Sequence, residues 1–72
     1  MRTKRAFIVR FVSVNDLVHL IVSMKLPNEK TPMVKSNRDF RIFEKSEFHA
    51  LQAMRKHNVN LERIESIFQL NS

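Results

Sequence analysis

The sequence predicts a small α+β domain with helices on one face of an antiparallel sheet. Three observations carry the expectation: a β-branched and aromatic apolar run over 6–13, period-two alternation over 39–44 and 61–70, and a capped amphipathic helix opening at Ser46. The preferred order is β-α-β-β-α-β, the split β-α-β (ferredoxin-like) arrangement of four strands and two helices. The alternative is β-β-β-α-β, which results if the second segment is a strand instead of a helix.

Residues 6–13 are apolar on both parities except at Arg10, which suits a central strand buried on at least one face. Asn15 is placed to cap a helix running to about Leu26, with Leu17, Leu20, Ile21 and Met24 at helical spacing and Pro27 as a stop. Val14, Val18, Leu20, Val22, Met24 and Leu26 also alternate with period two, so a hairpin turning at Asn15 and Asp16 competes with that helix. Residues 27–30 read as a loop, 33–35 as a short edge strand beside Pro32, and 39–44 as a strand with Phe40 and Ile42 on one face.

Ser46 then stands as an N-cap before a helix marked by Phe48, Leu51 and Met54, ending in Arg55, Lys56 and His57. Its acidic first turn and cationic last turn both complement the helix dipole, and Asn58 is a natural left-handed exit. The tail reads as a strand with Ile64, Phe68 and Leu70 on one parity; Leu61, Ile64 and Ile67 also fit helical spacing, and both assignments stand at this point. Glycine is absent from the whole chain, so left-handed turn positions fall to Asn, Asp or a strained residue.

Length and composition bound the rest. A chain of 72 residues makes one domain (1–72), since at this size only about 60% of the unfolded surface is buried; residues 1–5 form a basic arm. With no cysteine, neither disulfides nor thiolate metal sites contribute, and stability rests on packing or on a homodimer. The charged start at Arg2, Lys4 and Arg5 opens onto the apolar run Ala6 to Val9, but Arg10, Asp16 and His19 interrupt the residues beyond it and no small-residue cleavage site is evident. No apolar run reaches the ~20 residues of a membrane span. These features lead to the expectation of a cytoplasmic protein without membrane association.

Catalysis is not expected. His19, His49, His57 and the carboxylates fall in no spacing that assembles a nucleophile, a base and an orienting group, and no glycine-rich phosphate loop exists. His49 and His57 stand about two turns apart on one helix, too far to share an ion, so neither a metal nor a cofactor is expected.

Charge points to a partner. Thirteen Lys and Arg against seven Asp and Glu give a formal net charge of +6, which favours polyanions. Arg2, Lys4, Arg5 and Arg10 fall in the first ten positions, where no acid occurs. On the helix-free face of a split β-α-β sheet, Ile8, Arg10 and Val12 would lie beside Arg41 and Phe43, joining cations to an aromatic ring. The stretch 38–43 resembles, over about six residues, the third strand of RNA-recognition motifs, which opens on a basic residue and carries exposed aromatics. It departs where Asp39 stands for glycine and Arg41 for a small residue, and only one outward aromatic is expected from it.

The sequence therefore predicts a non-catalytic accessory or regulatory protein that binds nucleic acid through Arg2, Lys4, Arg5, Arg10, Arg41 and Phe43. The alternative is a module docking on an acidic protein surface through Ile8, Val12, Phe43 and Ile67, as a virus or mobile-element modulator of a host enzyme would.

Overall fold

In the computed structural model, residues 3–25 and 36–70 are described. They form β1 (Arg5–Phe11), α1 (Val14–Met24), β2 (Asp39–Glu44), α2 (Glu47–Lys56), a 3-10 turn (Leu61–Arg63) and β3 (Ile64–Gln69). The strands make an antiparallel sheet in the order β2-β1-β3, so the α+β class holds. The expected strand at 33–35, the loop at 27–30 and the stop at Pro27 lie outside the described residues.

β1 is central, as its apolar character on both parities implies. Phe7, Val9 and Phe11 enter the core with Leu17 and Leu20 of α1, Ile42 of β2, and Ala50 and Met54 of α2. Ile8 points the other way and is nevertheless only 1% exposed. Arg38 ties the end of this strand to both neighbours: its guanidinium donates to the Phe11 carbonyl at 2.9 Å and to Glu65 at 2.7 Å.

α1 is a helix, which removes the β-β-β-α-β alternative and the hairpin at Asn15 and Asp16. Its cap is Ser13, two residues before the expected Asn15. The Asp16 carboxylate accepts from the Ser13 backbone N–H at 3.1 Å and from its hydroxyl at 2.9 Å, a side chain reaching back to satisfy the entry of the helix. The helix ends at Lys25 in the left-handed region (φ 57°), whose N–H bonds the Ile21 and Val22 carbonyls. Val14, Val18 and Val22 stay exposed on its outer side.

α2 begins at Ser46 as expected, and the Ser46 hydroxyl accepts from the His49 N–H. The inward residues are Ala50 and Met54, whereas Phe48 is 64% exposed, so the expected Phe48, Leu51 and Met54 face is rotated outward at its first position. Asn58 adopts φ 64° and terminates the helix as predicted. The two helices converge at their C-terminal ends, where the Ser23 hydroxyl donates to the His57 carbonyl at 3.3 Å.

The tail divides between both readings of its sequence: a 3-10 turn, then a strand. The register passes from Arg10↔Ser66 to Phe11↔Ile64, so Glu65 is an extra residue with no partner across the ladder. This bulge turns Ile64 and Ile67, three residues apart, to the same helix-covered side. The parity expected for this strand is corrected accordingly: Ile67 belongs to the core side and Phe68 to the open side.

Leu20 is fully buried at the centre of this packing. Leu20→Ala should destabilise the domain by about 2–5 kcal/mol, an amount comparable to the whole net stability of roughly 4–11 kcal/mol expected at this length. Chemical denaturation followed by circular dichroism measures it; a loss below ~1 kcal/mol would contradict the placement of α1 against the sheet.

Candidate nucleic-acid interface

Among the described residues one face of the sheet carries no helix, and this helix-free face is built from rungs that cross β2, β1 and β3. One carries Asp39, Arg10 and Ser66, and the next Arg41, Ile8 and Phe68. The third carries Phe43 and Ala6, with Leu70 donating its N–H to the Ala6 carbonyl at 2.8 Å. Two rings are therefore outward, Phe43 at 50% and Phe68 at 41% exposure, on either side of the Ile8 that β1 buries between them.

Each ring has a guanidinium against it. The Arg41 guanidinium carbon lies 5.0 Å from the Phe43 centroid, and that of Arg10 lies 5.9 Å from the Phe68 centroid. Both fall within the ~6 Å reach over which a cation is attracted to a ring face.

Arg10 is also clamped to Asp39. Its Nε donates to Oδ1 at 2.8 Å and its Nη2 to Oδ2 at 2.9 Å, a fork matched to a carboxylate whose side chain is 1% exposed. The hydrogen bond and charge of Asp39 hold the Arg10 pKa above its ordinary value. Arg10 is thus a fixed cation whose charge is balanced locally.

The ends of the sheet differ electrostatically. Where β1 finishes, three ion pairs gather: Arg10 with Asp39, Arg38 with Glu65 at 2.7 Å, and Arg63 with Asp16 at 3.1 Å. Where β1 begins, Lys4 and Lys45 adjoin the rung Arg5↔Glu44, and none of these cations makes an ion pair among the described residues. Three cations, Lys4, Arg5 and Lys45, thus stand near this end against the carboxylate of Glu44.

The residues proposed from sequence therefore separate. Arg10, Arg41 and Phe43 share the helix-free face with Lys4 at the start of β1, whereas Arg5 has the parity of the core-facing Phe7 and Val9 and lies on the helix-covered side. Arg2 is outside the described residues. Of the residues considered for protein docking, Phe43 is exposed on that face, Val12 is exposed beyond the end of β1, Ile8 is buried, and Ile67 packs against the core.

Sequence reasoning missed Phe68, Lys45 and Asp39. The bulge that turns Phe68 outward has no local signature, and Asp39 meets Arg10 across 29 residues of chain. Lys45 was legible as the cation two residues beyond Phe43 in a strand already placed.

Among the described residues no helix is long and apolar enough to cross a membrane, and no group of three His, Asp or Glu side chains could hold a metal ion. No protein-family model matches the chain, and neither a curated protein nor a solved structure does.

The paired end of the sheet has a measurable pH response. Arg63, followed by the Ser13 contacts, holds the Asp16 carboxyl below its ordinary 3.8 against the opposing effect of desolvation. A depressed folded-state pKa contributes stability that is present above the unfolded value and lost as pH falls through the folded one. Asp16→Asn should therefore melt below the parent at pH 7, with the gap closing as pH is lowered from about 4 towards 2. Thermal melts across that range test this, and a gap unchanged at pH 2 would contradict it.

Proposed function

We propose that this protein is a non-catalytic accessory or regulatory factor that binds single-stranded nucleic acid across the helix-free face of its sheet. The proposal includes a cytoplasmic setting and a split β-α-β (ferredoxin-like) arrangement. The observation that carries it is the pair of outward phenylalanines, Phe43 and Phe68, each packed against an arginine. Aromatic platforms stack bases irrespective of sequence because every base has a π-face, and neighbouring cations neutralise phosphates.

The spacing favours single strands over duplex. Phe43 and Phe68 stand on the two strands that flank β1 and one two-residue step apart, so their backbones are about 12 Å apart from ~4.8 Å strand spacings and a ~6.8 Å step. Adjacent bases within a duplex strand rise only ~3.4 Å. Two rings so far apart suit bases that have been splayed from one another, which only an unpaired strand offers at low energy.

A second reading is docking on another protein, and the exposed apolar Val14, Val18 and Val22 of α1 favour it. Those valines lie on the helix layer, away from Phe43 and Phe68, so the two readings respond to different substitutions.

Fluorescence anisotropy with labelled single-stranded RNA and DNA oligonucleotides and a matched duplex separates them. Single strands should bind more tightly than duplex, with log affinity falling against log salt by about 0.7 per phosphate neutralised. Phe43→Ala and Phe68→Ala should each weaken binding by about 1–3 kcal/mol, roughly 5- to 150-fold. Binding that ignores salt, or that survives both substitutions while Val18→Asp abolishes association with a protein partner, would overturn the nucleic-acid reading.

A further inference from the structure

The cations around the helix-free face have unlike electrostatic settings. Lys4 and Lys45 lie at the end of the sheet where β1 begins, and neither makes an ion pair among the described residues. Arg10 lies at the end where Arg10, Arg38 and Arg63 each meet a carboxylate. An arginine whose fork is already filled by a buried carboxylate has little field left to attract a phosphate, since bringing the anion near also brings it near Asp39. The same fork fixes the guanidinium plane, and with it the group that lies 5.9 Å from the Phe68 centroid.

Resting on the single-strand reading above, we infer that the face is divided along β1: phosphates are taken at the Lys4 and Lys45 end, and Arg10 is a positioning residue that orients Phe68 as a base platform without contacting phosphate. The bound strand therefore crosses the sheet from a charged end to a neutral one. Ion-paired Arg10 contributes to affinity through Phe68 alone, and the counterions released on binding come from the other end. A second copy of this chain is a poor occupant of the same face, because two cationic ends would have to approach or each would meet a surface of no net charge.

The salt dependence of binding to a labelled single-stranded oligonucleotide reads this division directly. Lys4→Gln and Lys45→Gln should each flatten the slope of log affinity against log salt by about 0.7. Arg10→Gln should weaken binding several-fold at every salt concentration while leaving the slope as it is in the parent. The charge-neutral pair Arg10→Gln with Asp39→Asn, which spares the fold an unpaired buried carboxylate, should do the same. Arg10→Gln added to Phe68→Ala should weaken binding no further than Phe68→Ala alone, the non-additivity expected of residues acting through one contact.

A slope flattened by about 0.7 in either Arg10 variant would make Arg10 a phosphate ligand and overturn the inference. So would additive losses from Arg10→Gln and Phe68→Ala. Absence of salt-dependent binding in the parent protein would instead remove the single-strand reading itself, so the two failures are distinct.

Discussion

β1 is buried on both of its faces, and the rest of the described structure is arranged around that constraint. Phe7, Val9 and Phe11 face the helices and Ile8 faces away, all at 3% exposure or less. Burial of such a side chain contributes about 1.5–3 kcal/mol relative to leaving it in water, so a strand that buries Phe7, Ile8, Val9 and Phe11 needs cover on each side. The helices supply it on one side. On the other, the rung through Ile8 places Arg41 and Phe68 beside it, and these residues are at once its neighbours and the candidate contact surface.

That dual role explains why polar and aromatic groups meet on the open face. Arg10 is the one charged residue in the run Ala6–Phe11, and a cation in a central strand needs a partner where water is scarce. Asp39, the first residue of β2, provides it in a two-pronged contact across the ladder. Arg38, its neighbour in the chain, reaches instead to the Phe11 carbonyl and to Glu65, so two successive residues at the start of β2 pin the end of β1 from two directions. The bulged Glu65, which has no partner across the ladder, is thus held in place by an ion pair.

The consequence is a sheet with unlike ends. Ion pairing is concentrated where β1 finishes, whereas Lys4, Arg5 and Lys45 make no ion pair among the described residues near where β1 begins. A net charge of +6 is by itself a statement about solubility and long-range attraction. The part of it carried by Lys4 and Lys45 lies at one end of a sheet with two exposed rings, which gives that surface a direction.

The sequence by itself determined the local choices. The apolar run of β1, the Ser46 cap, the cationic last turn of α2 and the left-handed exit at Asn58 were all legible, because each is decided by neighbours within a turn or a strand. Period-two alternation in residues 39–44 likewise put Phe40 and Ile42 inward and Arg41 and Phe43 outward, as the register has them. Tertiary structure decided what depends on distant partners. The mixed periodicity of residues 14–26 resolved to helix through 14–24, with Leu17 and Leu20 buried and a cap at Ser13 instead of Asn15. The Glu65 bulge exchanged the faces of Ile67 and Phe68, since a one-residue insertion inverts parity and is fixed only by pairing with β1. The pairing of Arg10 with Asp39 was equally invisible, because two strands must lie side by side before a charge in one can balance a charge in the other.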